Sequence, residues 1–211
     1  MQHNFIAIEG NIGAGKTSLC TMLANEFNYR LVLEQFSDNP FLPMFYENPE
    51  QHAFTVELFF MSERYQQLQD VLANQELFSE GTIADYFFIK TLLFAQKNLK
   101  GEEFRLFHRL FDILNARFPK PDLLVYLHRS VDKLLSNIRK RGRGYEQEIP
   151  AEYLQNIQDA YLDYFKLEND VPILILDLEN LDFVANEEDY QAIKHELNQP
   201  YSKGVYRKKM N

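Results

Sequence analysis

The sequence predicts an α/β fold in which a parallel sheet of five strands is flanked by helices in a three-layer sandwich. Three observations support this prediction. Short apolar runs alternate with longer segments of helical periodicity, and a glycine-rich turn follows the first run. That first run, residues 5–9 (FIAIE), is almost wholly apolar, which is typical of a strand buried on both faces. Strands separated by helices imply parallel pairing with right-handed crossovers.

The remaining elements follow in order along the chain. Residues 17–27 place apolar side chains at helical spacing directly after the glycine-rich turn. Four further strands are predicted, at residues 31–34, 82–85, 122–127 and 173–178. Further helices are predicted at residues 52–74, 86–98, 103–117, 130–140 and 151–168. We expect the basic tail, about residues 200–211, to be flexible.

Length and composition limit the class of protein. The 211 residues contain no repeat or linker, so we predict a single domain over residues 1–211. The 31 acidic and 22 basic residues give a net charge of -9, which argues against a polynucleotide partner. One cysteine, Cys20, cannot form an internal disulfide, which fits a reducing compartment. No apolar stretch approaches the ~20 residues of a membrane helix, so we expect a cytoplasmic protein without a membrane partner.

The turn after the first strand has the pattern of a phosphate-binding loop. Residues 10–17 (GNIGAGKT) match G-x-x-x-x-G-K-[ST], between a predicted strand and a predicted helix. In such a P-loop, backbone N–H groups surround the phosphates of ATP, the lysine reaches the β- and γ-phosphates, and the hydroxyl ligates Mg²⁺. The predicted ATP-binding residues here are Gly10, Asn11, Ile12, Gly13, Ala14, Gly15, Lys16, Thr17 and Ser18. Lys16 is also a predicted catalytic residue, and Thr17 a predicted metal ligand.

A cluster of basic residues predicts a lid at about residues 139–150. Arg139, Arg141 and Arg143 lie within five positions, and glycines at 142 and 144 could act as hinges. Guanidinium groups neutralise the charge that spreads over a phosphoryl group during transfer. We therefore expect Arg141 and Arg143 to be catalytic and Arg139 to contact ATP. The alternative is a solvated helix end, where basic side chains favour the dipole.

A carboxylate at the end of the second predicted strand is the candidate general base. Glu34 ends residues 31–34 (LVLE), and ligands of parallel sheets bind beyond the carboxyl ends of the strands. A carboxylate there could accept the proton of an attacking hydroxyl. The motifs of a GTPase switch, N-K-x-D and D-x-x-G after a strand, are absent from the sequence. A small kinase, with a donor loop, an acceptor pocket and a lid, fits better.

Several longer stretches make the chain resemble the deoxynucleoside kinase family. They include IAIEGNIGAGKTSL, LVLEQFSDNPFL, FYENPEQHAFTVELFFMSERY, IADYFF, RKRGRGYEQEIPAEYL and ILILDLENLDF, in the family's order and extending to about residue 185. The resemblance implies a P-loop fold and ATP-dependent phosphorylation of the 5′-hydroxyl of a deoxyribonucleoside in nucleotide salvage. It also implies Mg²⁺ as the cofactor that accompanies ATP, and a homodimer.

The resemblance implies roles for individual residues. Glu34 corresponds to the base that activates the 5′-hydroxyl. Tyr46 and Glu146 correspond to the pair that binds the deoxyribose 3′-hydroxyl. Arg64 and Asp85 correspond to residues that hold the edge of the nucleobase. Alternatives remain open for three of these residues: Tyr46 as a core aromatic, Arg64 on a solvated helix face, and Asp85 as an acid near Mg²⁺ at the end of its strand.

Further roles follow from the same resemblance. Phe59 corresponds to a lining residue of the acceptor pocket, although a phenylalanine stripe at helical spacing is equally typical of a core. Arg141 and Arg143 correspond to lid arginines at the phosphates. Residues 177–183 (DLENLDF) resemble the loop that lies along the adenine of the donor.

The chain departs from the family pattern at two places. Glu57 occupies a position where many members have a base-reading glutamine, and an ionised carboxylate only accepts hydrogen bonds. A Glu-Arg-Ser motif of animal members is replaced by SEGTIAD, so Glu80 is the candidate metal ligand and Arg139 or the lid would replace the arginine. Bacterial deoxyadenosine and deoxyguanosine kinases are similar in lacking that arginine. We therefore expect a purine acceptor, with deoxyadenosine favoured.

The sequence leaves two other functions open. A nucleoside-monophosphate kinase of the thymidylate-kinase type would need an arginine after the third strand to hold the acceptor phosphate, whereas the chain reads Asp85-Tyr86 there. A nucleotide-binding regulatory module without turnover would keep the P-loop and lose activity.

Overall fold

The computed structural model describes residues 2–34, 39–73 and 79–210, so the final positions of the predicted helix 52–74 and of the tail, 74 and 211, lie outside it. Within the described residues, six strands form one sheet in the order β2-β3-β1-β4-β5-β6, and all neighbouring strands are parallel. The strands are β1 (Phe5–Gly10), β2 (Arg30–Val32), β3 (Thr82–Ala84), β4 (Leu123–His128), β5 (Pro172–Asp177) and β6 (Gly204–Lys209). The α/β prediction is confirmed, with six strands in place of five.

The described helices include all six that the periodicity predicts and two that it does not. They are α1 (Lys16–Phe27), α2 (Leu42–Glu47), α3 (Pro49–Ala73), α4 (Ile89–Asn98), α5 (Gly101–Asn115), α6 (Val131–Arg141), α7 (Ala151–Leu167) and α8 (Glu187–Leu197). The helix α2 is only six residues long. At the start of α8, the Asn186 side chain accepts a hydrogen bond from the backbone N–H of Glu188 at 2.9 Å, which caps the first turn.

The sheet separates two apolar cores, and this produces the three layers. In β1, Ala7 belongs to the core that contains side chains of α3, α4, α5 and α7. Its neighbours Ile6 and Ile8 belong to the opposite core, with side chains of α1, α6 and α8. Successive residues of a strand point to opposite faces, so a strand covered by helices on both sides is apolar at most positions. This explains why FIAIE lacks polar alternation.

The prediction of a flexible tail is wrong for the described residues of the tail, because they include the strand β6. Its pairing with β5 runs from Pro172↔Gly204 to Asp177↔Lys209. Most of its side chains are exposed and three are basic, as is usual for an edge strand that resists further pairing. Such a strand has little apolar signal of its own. The chain then continues to Met210, which is buried against the second core.

The carboxyl ends of the parallel strands bring several functional segments to one edge of the sheet. The P-loop follows β1, Glu34 follows β2, and Asp85 follows β3. Arg129 follows β4, and the segment 178–185 follows β5. This edge is where the ligand crevice of an open parallel sheet lies. Among the described residues, no helix is both long enough and apolar enough to cross a membrane.

Candidate active site

A cleft of about 750 Å³ opens at this edge and extends from the P-loop to the lid. Its volume lies in the range of small-molecule sites. Most of the predicted site residues line it, namely residues 12–18, Tyr46, Glu57, Arg64, Arg141, Arg143 and Glu146. The sequence therefore brings a phosphate-binding loop, an aromatic wall and a group of charged side chains to one cavity.

The P-loop packs so closely against α6 that one of its glycines cannot be replaced. Gly13 has φ 83°, in the left-handed region, and a Cβ there would lie 2.8 Å from the backbone oxygen of Leu134. The Asn137 side chain of the same helix donates to the carbonyl oxygen of Gly13 at 2.8 Å. Glycine is thus required both by the backbone conformation and by the close approach of α6.

The lysine of the loop lies almost buried within the turn. Lys16 Nζ donates to the carbonyl oxygens of Gly10 and Asn11, both at 2.9 Å. Burial, and next the nearby Lys90 charge, lower the pKa of Lys16 to about 8. Gly10 and Asn11 lie behind the cleft lining, so these two predicted ATP-binding residues act on Lys16 rather than at the cavity wall.

A buried hydrogen bond joins the P-loop to α7. Asn11 Nδ2 donates to the carbonyl oxygen of Leu154 at 2.7 Å, and Asn11 Oδ1 accepts from the backbone N–H of Ile12 at 2.9 Å. Tyr153, which precedes Leu154, lines the cleft. The asparagine therefore connects the donor loop to a helix that forms part of the acceptor end.

Arg129 fixes the segment after β5 against the P-loop. Its guanidinium donates to the carbonyl oxygens of Ala14 at 3.3 Å, Leu178 at 2.5 Å and Leu181 at 3.0 Å. The guanidinium also lies 6.0 Å from the centre of the Phe183 ring. Residues 181–185 consequently line the cleft, so only the last three residues of the segment 177–183 reach the cavity wall.

Asp85 bonds to the P-loop rather than to the acceptor end of the cleft. Its Oδ2 accepts from the Thr17 hydroxyl at 2.7 Å, and its Oδ1 accepts from the backbone N–H of Glu34 at 2.7 Å. Burial and the Glu34 charge raise its pKa, although the Thr17 hydrogen bond opposes this shift. Of the two predicted roles, these contacts favour an acid near Mg²⁺ over a contact with the nucleobase.

Two cations hold the Glu34 carboxylate. Arg64 donates to Glu34 Oε1 through Nε at 2.7 Å and Nη2 at 2.5 Å, and Lys90 Nζ donates to Oε2. Burial alone would raise the pKa of Glu34, but the charges of Arg64 and Lys90 outweigh it and lower the pKa to about 2. The carboxylate is therefore ionised, and its basicity is low.

Lys90 is a cleft residue that the sequence reasoning missed. It lies on α4 and lines the cleft, 5.6 Å from the centre of the Phe94 ring. A signal for it exists, because it is the only charged residue between Asp85 and Lys97, in the apolar run FFIKTLLF. A lysine in such a run is rarely buried without a charged partner.

Glu80 and Arg139 are placed away from the cleft. Glu80 precedes β3, and its backbone N–H donates to the carbonyl oxygen of Asn28 at 3.1 Å. Since Phe5 pairs with Thr82, Glu80 lies at the opposite end of the strands, roughly 20 Å from Gly10 at the usual rise per residue. The prediction of Glu80 as a metal ligand is therefore wrong.

On α6, the residues that line the cleft are Lys133, Ser136, Asn137, Lys140 and Arg141. Helical spacing directs the side chain of Arg139 away from that face, and it is exposed. Lys140, rather than Arg139, lines the cleft. On α3, Phe60 lines the cleft, whereas Phe59 lies outside the lining and packs against Phe41 at 6.1 Å between ring centres.

The lid contains ion pairs and is joined to the cleft wall by stacked rings. Both Arg141 and Arg143 bond to Glu146, the latter through Nη1 at 3.3 Å. Tyr145 stacks on Tyr46 with 6.0 Å between ring centres and an interplanar angle of 16°. Burial, and then the neighbouring Tyr153 and Glu146, raise the pKa of Tyr46 well above its ordinary value, so its hydroxyl stays protonated. The predicted Tyr46–Glu146 pair is thus brought to one wall.

Glu57 lies on the same part of the cleft and has only one bonded oxygen. Its Oε1 accepts from Asn98 Nδ2 at 2.6 Å, and the same amide donates to the Tyr153 hydroxyl at 3.3 Å. Glu57 Oε2 has no hydrogen-bond partner among the described residues, although the side chain is buried. Asn98 and Tyr153 were not predicted, because an amide and a tyrosine carry no distinctive sequence signal.

Comparison with known proteins gives a consistent result. The model of the family described as deoxynucleoside kinase matches residues 6–201. A deoxyguanosine kinase of Bacillus subtilis (strain 168) is 36% identical over 193 residues, which cover 90% of this chain and 93% of that protein. A deoxyguanosine kinase of Lactobacillus johnsonii is 32% identical over 207 residues, covering 91% of this chain and 90% of the relative.

A solved structure shows the same fold. The deoxyadenosine kinase from M. mycoides, with dCMP and a flexible dCDP bound, superposes with a TM-score of 0.79. The alignment covers 92% of this chain and 98% of that structure, at 23% sequence identity.

Proposed function

Because the chain belongs to the deoxynucleoside kinase family, we propose that it transfers the γ-phosphoryl group of ATP to the 5′-hydroxyl of a purine deoxyribonucleoside. The observation that supports this most directly is a single cleft lined by the P-loop, by Arg64 and Lys90, which both bond to Glu34, and by Tyr46 and Glu146. A donor tail and an uncharged sugar could therefore occupy the two ends of one cavity.

In the proposed reaction, the O5′–P bond forms as the bond from the γ-phosphorus to the β,γ-bridging oxygen breaks, and that electron pair leaves with ADP. The hydroxyl proton passes to Glu34. A carboxylate with a pKa of about 2 is a weak base, so its main role would be to orient the hydroxyl. This is sufficient if the transition state is loose, because little charge then develops on the attacking oxygen.

We propose that Mg²⁺ accompanies ATP and is held by the Thr17 hydroxyl and the Asp85 carboxylate. These oxygens are 2.7 Å apart, and Mg²⁺ is bound by oxygen ligands of this kind together with substrate phosphates and waters. The described residues include no cluster of three or more His, Cys, Asp or Glu side chains suited to a metal, which fits an ion brought by the nucleotide. The ion would neutralise phosphate charge.

Charged lid residues would complete the donor side. Arg141, Arg143 and Lys140 line the cleft, and guanidinium groups at this position could bind the transferring phosphoryl oxygens. Both arginines now bond to Glu146, so contact with phosphate would compete with that ion pair. The carboxylate of Glu146 would then be available for the 3′-hydroxyl together with Tyr46.

A purine acceptor is supported by the relatives. Two of the similar proteins are named deoxyguanosine kinase. The sequence patterns favoured deoxyadenosine first.

The proposal is tested with the purified protein, Mg·ATP and a panel of nucleosides and nucleoside monophosphates, with ADP release as the measurement. We expect turnover with purine deoxynucleosides. Turnover with monophosphates alone would instead favour the monophosphate-kinase alternative, which would need a cation for the acceptor phosphate. In this structure Arg64, which lines the cleft on the same helix as Glu57, is already bonded to Glu34 and Thr91. Lack of stimulation by any acceptor would favour a regulatory module.

We further propose a cytoplasmic homodimer. The helix α5 exposes two large apolar side chains, Leu106 at 51% and Ile113 at 57%, on a helix that otherwise packs with Phe107 and Phe111 inward. Exposed apolar side chains on one helix are typical of an association surface. Sedimentation equilibrium would measure the assembly, and a monomer at micromolar concentration would contradict it.

A further inference from the structure

The acceptor end contains a buried carboxyl oxygen without a partner. Glu57 is 2% exposed and lines the cleft, and its Oε2 bonds to none of the described residues. Buried polar atoms in native proteins almost always have a hydrogen-bond partner, and an orphan at a ligand cavity is explained when the ligand supplies the bond. The geometry therefore identifies Oε2 as an atom that a bound acceptor contacts.

The described groups around Glu57 bond to other atoms and not to Oε2. On its own helix, Arg64 is bonded to Glu34 and Thr91. On α4, Lys90 bonds to Glu34, and Asn98 bonds to the other oxygen, Glu57 Oε1. On α7, Tyr153 accepts from Asn98. The charges of Arg64 and Lys90 favour the ionised carboxyl and that of Glu34 opposes it, so neither protonation state is fixed by an ion pair.

The carboxyl titrates in the neutral range. Burial raises the pKa of Glu57 to about 7, and the hydrogen bond from Asn98 opposes this rise only in part. Both forms of the side chain are therefore populated near neutral pH. The protonated form has an O–H donor, whereas the ionised form is only an acceptor.

We propose that Glu57 Oε2 contacts ring position N1 of the purine and that its proton selects between the two purines. The proposal rests on the proposed function. Adenine has a lone pair at N1, so it pairs with the protonated carboxyl. Guanine has a hydrogen at N1, so it pairs with the ionised carboxylate. A buried site that leaves a polar group unpaired rejects the mismatched analogue strongly, so each protonation state accepts one purine.

The consequence is a ratio of specificities that depends on pH. The kcat/KM for deoxyadenosine follows the protonated fraction of Glu57, and that for deoxyguanosine follows the ionised fraction. Their ratio, deoxyguanosine over deoxyadenosine, rises about tenfold per pH unit, because one proton separates the two forms. Other titrations of the enzyme that affect both reactions equally cancel in this ratio.

The test measures kcat/KM for both nucleosides in competition with saturating Mg·ATP, at several pH values on either side of about 7. In the wild-type protein we expect the tenfold rise per unit. In Glu57→Gln, whose amide does not titrate, we expect a ratio independent of pH. Glu63→Gln, a matched change on the same helix at a residue outside the cleft lining, should keep the wild-type slope.

The possible outcomes separate this inference from the function on which it rests. Phosphorylation of both purines with a flat wild-type ratio overturns the role of Glu57 and leaves the kinase proposal intact. A slope that persists in a folded Glu57→Gln protein overturns it as well, and thermal unfolding checks that the variant is folded. If neither nucleoside is phosphorylated at any pH, the proposed function fails, and the inference fails with it.

Discussion

The carboxylate of Glu34 is held between Arg64 and Lys90, and its replacement tests the proposed chemistry at the scale of one residue. Glu34→Gln keeps the size of the side chain and removes the negative charge that would orient and deprotonate the 5′-hydroxyl. We expect kcat to fall on the order of 10²–10⁴-fold, the range for loss of a positioned base. The KM for ATP should change little, because among the described contacts the Glu34 side chain bonds to Arg64 and Lys90 and not to the P-loop.

Steady-state kinetics with a purine deoxynucleoside measures this effect, and equilibrium binding of ATP is the control for the donor site. Near-normal turnover in a folded variant would contradict the assignment of Glu34. A loss of ATP binding would mean that the change disturbs Asp85, whose Oδ1 accepts from the backbone N–H of residue 34.

The raised pKa of Glu57 also predicts how stability depends on pH. The unfolded side chain releases its proton near 4.5 and the folded one near 7, so the folded state binds more protons between these values. Stability from this group is therefore fully present below pH 4.5 and is lost as the pH rises to about 7. The lost free energy of unfolding is about 3 kcal/mol.

Urea unfolding of the wild-type protein and of Glu57→Gln at several pH values measures this loss. The free energy of unfolding of the wild-type protein minus that of Glu57→Gln should fall as the pH rises from 4.5 to about 7, and it should stay constant above pH 7. A difference that does not change with pH would show that Glu57 titrates at an ordinary value in the folded protein.

Residue types with a strong chemical signature could be predicted from the sequence, and those defined by packing could not. Lys16, Thr17 and the lid arginines belong to spaced motifs, and the structure brings them to the cleft. Lys90 was missed because only the fold brings α4 beside Glu34. Glu80 was assigned wrongly because it matches the family motif only with a one-residue gap, and it precedes β3 at the end of the sheet away from the P-loop.

At the scale of elements, the lid depends on one glycine rather than two. Gly142 has φ 76° and ends α6 in the left-handed conformation, where its N–H donates to the carbonyl oxygen of Ile138 at 3.2 Å. Gly144 is not in the left-handed region, and a Cβ at either position would meet no atom within 4 Å. The two sites therefore differ in backbone conformation and not in available space.

We expect Gly142→Ala to lower the free energy of unfolding by about 1 kcal/mol, the cost of a side chain in the left-handed region. Gly144→Ala is the matched control and should be neutral or slightly stabilising. Chemical denaturation of both variants measures the effect. Equal destabilisation by the two changes would contradict a specific requirement at position 142.

The helices α2 and α8 were not predicted, for different physical reasons. The helix α2 is too short to show a full period of apolar spacing, and it packs through Leu42 and Phe45 onto the first core. In contrast, α8 has a clear start signal in Asn186 followed by Glu187, Glu188 and Asp189. Its apolar stripe is sparse, which is why that signal alone did not predict it.

At the scale of the whole molecule, the sheet ends in a strand that the sequence did not predict. Removal of residues 204–211 would uncover the backbone of β5 along its whole length. We expect a drop of a few kcal/mol in the free energy of unfolding, because several ladder hydrogen bonds at roughly 1 kcal/mol each and the burial of Met210 are lost. The bare edge should also promote association between chains.

Urea unfolding and size-exclusion chromatography of the truncated chain measure the two effects. Arg207→Gln is the control, since it removes only a half-exposed ion pair with Asp177 and should change stability by less than about 1 kcal/mol. A truncated chain as stable as the full one would show that β6 contributes little to the fold.

The overall architecture was predictable because five strands are nearly continuous apolar runs that helices cover on both faces. The strand order β2-β3-β1-β4-β5-β6 was not, since apolar runs do not specify their neighbours. An edge strand with an exposed, basic face has no such run. The position of β6 follows from its pairing with β5, and this pairing is seen only in the folded chain.

The buried hydrogen bond from Asn11 to Leu154 ties the conformation of the donor loop to the position of α7. A nucleotide that tightens the glycine turn would therefore pull on the helix that presents Tyr153, and on the lid that precedes it. Occupancy of the donor loop would thus reach the nucleoside end of the crevice through the protein itself, in addition to the direct contact of the two substrates during transfer.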